Sequence, residues 1–128
     1  MILISPAAGL DEKEKFMSDY EEHDILLSME LMNNIANTWG KGVEMTDWRI
    51  NSSYVDFRGF PKTMIIYGGR EMFTGIMPAL IDKMTAAGVD LTVCKGEIHC
   101  HDWALARKLP EGKRVLKLMC DFASDFGM

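Results

Sequence analysis

The fold is decided by residues 59–71, which read GFPKTMIIYGGRE. The centre of this stretch, Thr63 to Tyr67, is a short continuous apolar run, typical of a strand buried on both faces of a parallel sheet. Pro61 favours an extended chain just before the run, and Gly68-Gly69 ends it. The stretch therefore predicts a central strand that leads directly into a polar segment containing Glu71.

Further strands and helices alternate around this central strand. Met1 to Ile4, which Ser5-Pro6 closes, and Val89 to Cys94 are the other predicted strands, and Met1 to Ile4 is again predicted to be buried on both faces. Helices are predicted from about Gly75 to Ala87, with Gly88 as the stop, and from Pro110 onward. This order predicts an α/β fold, in which right-handed crossovers build a parallel sheet with flanking helices.

A longer and more polar segment, about residues 7–60, separates the first two strands. Its beginning, Ala7 to Glu22, is acidic and is predicted to be irregular. Asp24 is predicted to cap a helix that ends at Gly40. The apolar face of this helix is predicted from residues spaced three and four apart, namely Leu27, Leu31, Met32, Ile35 and Trp39.

Composition limits the class of protein. The chain has 128 residues, which predicts a single domain over residues 1–128, and 48% of them are hydrophobic, enough for a core that includes most of the eleven methionines. The net charge of -5 comes without a basic run, which argues against a nucleic-acid partner. No apolar run approaches the roughly 20 residues of a membrane span, and no signal peptide is visible. Three cysteines, an odd number, favour reduced thiols and a cytoplasmic protein.

The chain opens on a strand that is predicted to lie inside a sheet. A buried strand needs neighbours on both sides, so we expect the sheet to begin upstream of Met1 and the chain to be part of a larger fold. The first strand would then present an unpaired apolar edge. We expect self-association, or pairing with a missing N-terminal half.

Candidate chemistry lies just after the second and third strands, because ligands of parallel sheets gather at the carboxyl ends of the strands. Glu71 follows one strand, and His99, Cys100 and His101 follow the next. A carboxylate that accepts a hydrogen bond from one imidazole nitrogen leaves the other nitrogen free to take a proton. From spacing alone, the favoured interpretation of Glu71 is a solvated carboxylate near a helix N-terminus, where the helix dipole stabilises it.

Other kinds of site are less well supported. Cys94, His99, Cys100 and His101 are residue types that bind zinc, but no C-x-x-C is present and neighbours on an extended segment diverge. Neither G-x-x-x-x-G-K nor G-x-G-x-x-G occurs, so no phosphate loop is predicted. No serine lies in G-x-S-x-G, so the chain contains no nucleophile elbow.

Taken together and in order, several segments resemble the C-terminal part of the hormone-sensitive-lipase-like branch of the α/β-hydrolases, esterases and lipases that act on acyl esters. The resemblance covers nearly the whole chain. It rests on residues 2–6 (ILISP), 47–51 (DWRIN), 59–71, 86–93 (AAGVDLTV), 101–103 (HDW) and 109–111 (LPE).

The resemblance implies a carboxylic-ester hydrolase with a Ser-His-acid triad, no cofactor and no metal. Glu71 falls on the position of the triad acid, where many members have aspartate. Counting from Gly88 places the histidine on His101, which the 101–103 string also fits, whereas counting from Gly96 would place it on His99. We prefer His101.

The resemblance also places the serine and the oxyanion hole before the strand that resembles Met1 to Ser5, so this chain alone is expected to be inactive. Residues 7–60, with Trp39, Trp48 and Phe57, resemble an excursion that flanks the acyl pocket. The alternative is a non-catalytic remnant or an interaction module that keeps half of the hydrolase fold.

Overall fold

A parallel three-stranded sheet forms the centre of the protein in the computed structural model, which describes residues 1–126. The strands are β1 (Ile2–Ile4), β2 (Thr63–Gly68) and β3 (Leu91–Gly96), in the order β1-β2-β3. Leu3 pairs with Ile65, and Ile65 pairs with Val93. The predicted α/β class and parallel sheet are confirmed. The single-domain prediction also includes residues 127 and 128, which lie outside the described residues.

Helices connect and cover the strands. The described α-helices are α1 (Lys13–Phe16), α2 (Met29–Thr38), α3 (Met77–Ala86) and α4 (Pro110–Ser124). Short 3-10 helices lie at Ser18–Tyr20, Ser52–Tyr54, Met72–Gly75 and Trp103–Leu105. Along residues 1–126, no helix combines the length and apolar character that crossing a bilayer requires.

The two faces of the sheet pack against different layers. On one face, Ile65 and Tyr67 pack in a core that contains the buried α3 residues Met77, Leu80 and Met84. On the other face, Met64 and Ile66 pack against three buried residues that include two from α4, namely Trp103, Val115 and Phe122. Alternate residues of β2 therefore serve opposite layers, as the pleat requires. Six methionines between residues 1 and 126 are buried, as predicted: Met17, Met32, Met64, Met72, Met77 and Met84.

The first strand is less buried than the central strand. All six residues of β2 are buried, whereas Ile2, Leu3 and Ile4 of β1 are only partly buried. Within the described residues β1 lies at the edge of the sheet and pairs only with β2, which is the unpaired edge expected of this chain by itself. Burial of β1 on both faces in a larger sheet stays a prediction.

Other element boundaries move by small amounts. The third strand begins at Leu91 rather than Val89, because the N–H of Val89 still donates to the carbonyl of Met84 and closes the turn after α3. The helix predicted from Gly75 begins as a 3-10 helix and becomes α-helical at Met77. Gly88, at φ +82°, follows the end of α3 as predicted. Pro110 is the first residue of α4, also as predicted.

The helix of the excursion begins later than predicted. Ser28 caps α2, accepting a hydrogen bond from the N–H of Leu31 at 3.1 Å, so Asp24 is not the cap. The predicted apolar face is only partly correct, since Met32 is buried but Leu31 and Trp39 are 40% and 66% exposed. The helix ends at Thr38 with Trp39 as its C-cap, so Gly40 follows its end as predicted, in the same place that Gly88 takes after α3.

Candidate active site

Glycines bring the loops after β2 and β3 close together. The N–H of Gly69 donates to the carbonyl of Gly96 at 2.8 Å, and the N–H of Arg70 donates to that of His99 at 3.0 Å. A Cβ atom on Gly68 would overlap the carbonyl oxygens of His99 and Cys100. The backbones of the two loops can therefore touch only because a residue without a side chain ends β2.

Glu71 lies in the first of these loops and is completely buried, with 0% of its surface exposed. Its Oε2 atom accepts hydrogen bonds from the N–H of Gly68 at 2.9 Å and from the hydroxyl of Ser5 at 2.7 Å. Its Oε1 atom is buried and has no hydrogen-bond partner among the described residues. The interpretation of Glu71 as a solvated surface carboxylate is therefore wrong.

Burial raises the pKa of Glu71 to about 7, because a charged carboxylate loses its hydration inside the protein. The hydrogen bonds from Gly68 and Ser5 act in the opposite direction, since they stabilise the charged form. The nearby carboxylates of Asp24 and Asp102 raise the pKa further. Near neutral pH, Glu71 is thus close to its midpoint between acid and carboxylate.

His101 faces this carboxyl group from the second loop. Its Nδ1 atom lies 3.9 Å from Oε2 of Glu71, and it is buried without a hydrogen-bond partner among residues 1–126. Its Nε2 atom points the other way and lies 3.5 Å from Oδ2 of Asp102. The ring also meets Phe73 edge-on, with centroids 5.5 Å apart. The structure therefore brings Glu71 and His101 together, at a separation about 1 Å longer than a hydrogen bond.

His99 has different surroundings. Its ring stacks on the indole of Trp103, with centroids 4.3 Å apart and planes inclined by 21°. Both ion-pair distances that involve a histidine in the described part of the chain belong to His101.

The residues considered for zinc do not form a cluster. Within residues 1–126, no group of three or more histidine, cysteine or acidic side chains is arranged to hold a metal ion. Cys94, Cys100 and Cys120 are all free thiols.

Three residues around the site were not recognised from the sequence as contacts of Glu71, His101 or the residue after Glu71. Ser5 donates to Glu71, Asp24 accepts from the N–H of Met72, and Asp102 lies beside Nε2 of His101. The sequence position of Ser5 could have predicted its contact with Glu71, because Ser5 directly follows β1 and so lies at the same edge of the sheet as the loop of Glu71. No sequence pattern indicated the contact of Asp24, since this residue lies in the irregular part of the excursion.

The excursion forms an apolar cavity of about 170 Å³ beside β1. Leu3, Val55, Phe57 and Phe60 are among its lining residues, whereas Glu71 and His101 are not. Of the three aromatic residues suggested by the sequence, Phe57 lines this cavity, and Trp39 and Trp48 are 66% and 64% exposed.

Comparison with known proteins gives consistent structural neighbours. The structure of a hormone-sensitive lipase from a metagenome library superposes on 97% of this chain, with 20% identity and a TM-score of 0.87, and the match covers 43% of the length of that lipase. A putative esterase from Staphylococcus aureus superposes on 91% of this chain, with 26% identity and a TM-score of 0.78, over 40% of its own length. An esterase from the bacterial hormone-sensitive lipase family superposes on 94% of this chain, with 25% identity and a TM-score of 0.86, over 41% of its own length.

The chain thus spans about two fifths of the length of these structures. No curated protein sequence matches it. The family model described as alpha/beta hydrolase fold matches residues 1–105, most of the chain. By this match, and with the parallel sheet and loops described above, the chain belongs to the alpha/beta hydrolase fold family.

Proposed function

We propose that this chain contributes the acid and the general base of a carboxylic-ester hydrolase that works by a Ser-His-acid triad, with Glu71 as the acid and His101 as the base. The observation that carries the proposal is the approach of Oε2 of Glu71 to Nδ1 of His101, 3.9 Å apart and both buried, at the carboxyl edge of a parallel sheet. Similarity to structures of esterases supports the choice of substrate class.

His101 performs the proton transfers in this proposal. Its Nδ1–H donates to Glu71, so Nε2, which lies 3.5 Å from Oδ2 of Asp102, is the nitrogen that takes the proton of a serine hydroxyl as the serine attacks the ester carbonyl. His101 then returns the proton to the leaving alcohol. Such hydrogen bonds are often long before substrate binds, and shortening the present 3.9 Å by about 1 Å completes this one.

Glu71 orients His101 and stabilises it when it becomes a cation. Burial alone would keep this carboxyl group partly protonated at neutral pH, since its pKa is raised to about 7. A positive charge forming on the neighbouring imidazole favours the carboxylate. The carboxylate is therefore stabilised most at the moment in the reaction when it is needed.

The nucleophile lies outside these 128 residues, because no serine of the chain occupies a G-x-S-x-G motif. Ser5, which lies beside Glu71, is only 5% exposed, and its hydroxyl donates to the carboxyl group. A serine and the N–H donors of an oxyanion hole, each donor contributing about 3 kcal/mol, come from another stretch of polypeptide.

The proposed substrate is a small acyl ester. The apolar cavity beside β1 lies against the excursion, about residues 7–60, which we propose flanks the acyl pocket. The free thiols of the three cysteines support a cytoplasmic setting for the reaction.

The chain alone provides the first test. We expect it neither to hydrolyse a short-chain p-nitrophenyl ester nor to form a covalent adduct with a fluorophosphonate, as checked by absorbance and intact-mass spectrometry. Turnover or labelling, above all at Ser5, would show that the nucleophile is inside the chain.

The second test uses a protein in which this chain is joined to a segment carrying G-x-S-x-G. His101→Ala should lower kcat roughly 10³-fold or more, and Glu71→Gln by a comparable factor, since each removes one triad member. His99→Ala is the matched control and should change kcat little. The reverse result for the two histidines would reassign the base, and no loss from any variant would favour a non-catalytic role.

A further inference from the structure

Ser5 stands where β1 meets both loops of the candidate site. Its hydroxyl donates to Oε2 of Glu71 at 2.7 Å and accepts a hydrogen bond from the N–H of Asp102 at 3.1 Å. Asp102 directly follows His101 in the chain. One side-chain oxygen therefore links the loop of the acid to the loop of the histidine, although Ser5 itself belongs to neither.

The backbone of Ser5 is held in an unusual conformation. Its φ angle is +42°, in the left-handed region that residues other than glycine rarely adopt. The N–H of Ser5 nevertheless donates to the carbonyl of Ile66 at 2.7 Å, continuing the ladder of β1 and β2. Glycine would adopt this conformation at lower energetic cost. We therefore infer that the hydroxyl of Ser5 has a role that offsets the strain of the backbone.

The hydroxyl also holds one particular oxygen of the Glu71 carboxyl group. Ser5 and the N–H of Gly68 both donate to Oε2, whereas Oε1 has no partner within residues 1–126. Ser5 and Gly68 thereby hold the same oxygen, Oε2, that lies 3.9 Å from the buried Nδ1 of His101.

We propose that Ser5 is a positioning residue, whose hydroxyl fixes the carboxyl group of Glu71 and, through Asp102, the loop that carries His101. The proposal rests on the assignment of Glu71 and His101 as acid and base. It adds a third strand to the site, because Ser5 is supplied by the end of β1.

The charge state of Glu71 gives a readout for this role. Besides burial, the groups that act on it are the donors Ser5 and Gly68 and the carboxylates Asp24 and Asp102. His101 faces it at 3.9 Å. The Ser5 hydrogen bond lowers the pKa of Glu71, so its removal should raise the midpoint of the Glu71 titration. A hydrogen bond to a charged group is strong enough for a rise of about one pH unit.

The experiment compares Ser5→Gly with the unaltered chain by NMR, following the carboxyl carbon of Glu71 and the backbone amide of Asp102 across pH. Ser5→Gly removes the hydroxyl and relieves the φ angle, so it separates the hydrogen bonds from backbone strain. We expect the Glu71 midpoint to rise by about one pH unit and the Asp102 amide signal to shift. Ser28→Ala, which removes the cap of α2, is the control for general destabilisation and should move neither signal.

An unchanged Glu71 midpoint together with an unchanged Asp102 signal in Ser5→Gly would overturn the proposal. If that variant fails to fold, Ser5→Cys keeps a side chain of similar size with a weaker donor, and its midpoint should still rise. An unshifted midpoint in Ser5→Cys would then overturn the proposal. These readouts need no turnover, so a failure of the His101 and Glu71 variants to affect ester hydrolysis is a separate result.

Discussion

The Oδ2 atom of Asp24 accepts a hydrogen bond from the backbone N–H of Met72 at 2.9 Å, which ties the excursion to the residue after Glu71. The Oδ1 atom of Asp24 accepts from the N–H groups of Leu26 and Leu27, at 2.9 and 3.2 Å. Only 8% of Asp24 is exposed. This carboxylate therefore satisfies three backbone donors and sets the path of the chain beside the candidate acid.

Asp24→Ala should lower the free energy of unfolding by about 2–3 kcal/mol, because the N–H of Met72 would remain buried without an acceptor. Asp24→Asn keeps one acceptor oxygen and should cost less. It should also lower the pKa of Glu71, since the charge of Asp24 contributes to raising it. Urea unfolding measures the first two effects. Asp82→Ala, at an exposed position, is the control, and a comparable cost there would contradict the role given to Asp24.

Glu71 should make the stability of the chain depend on pH. Its pKa is raised from 4.5 to about 7 by burial, so the folded state holds the proton more tightly than the unfolded state. The contribution of Glu71 to the free energy of unfolding is then highest below about pH 4.5, falls as pH rises to about 7, and levels off above that. The loss over this range is on the order of 3 kcal/mol.

Glu71→Gln should remove this loss, because glutamine keeps an acceptor oxygen and does not titrate. Urea unfolding of both proteins at a series of pH values from 4 to 8, a range set by the two pKa values, is the measurement. The difference in stability should favour the variant increasingly toward pH 8. Parallel curves for the two proteins would mean that Glu71 titrates alike in the folded and unfolded states.

The central strand was predictable because β2 is buried throughout. A strand that is buried on both faces requires a continuous apolar run, which here is Thr63 to Tyr67. Gly88 and Pro110 were equally readable, since each meets a local backbone requirement. The same apolar signal predicted β1, and the partial exposure of β1 follows from its place at the edge of the described sheet. Burial of Glu71 was not predictable, since it depends on contacts with residues far away in the chain.

The excursion was the least predictable region for the same reason. Asp24 has the residue type of a helix cap, but its oxygens serve Met72, 48 residues later, and the nearby turn at Leu26 and Leu27. Ser28 takes the cap instead. A local pattern cannot reveal a long-range hydrogen bond that competes with it.

Gly68→Ala should disrupt the candidate site itself. A Cβ atom at this position would overlap the carbonyl oxygens of His99 and Cys100, so the loop that carries His101 must move. We expect a cost of about 3 kcal/mol and large changes in the amide signals of residues 99–102, measured by urea unfolding and NMR. Gly59→Ala is the control, because its φ of +77° is strained for alanine but no atom lies within 4 Å of the added carbon. It should cost about 1–2 kcal/mol and leave those signals in place.

The outer edge of β1 should drive self-association of the chain. The carbonyl of Met1 and the N–H of Ser5 bond to β2, and alternation along a parallel strand turns the N–H and carbonyl of Ile2 and Ile4 away from it. Within the described residues no strand pairs with that side. An unpaired edge of this kind is a template for another strand. We therefore expect the sedimentation coefficient to rise with protein concentration.

Ile4→Pro tests the edge directly, because proline removes an outward N–H and leaves the bonds of Met1 and Ser5 to β2 intact. Ile4→Ala is the control: it removes more of the apolar side chain than proline does but keeps the N–H. We expect Ile4→Ala to self-associate like the unaltered chain and Ile4→Pro to remain monomeric, with both folded by circular dichroism. If both variants lose association equally, apolar side chains rather than backbone pairing hold the copies together, because only that contact is absent from both.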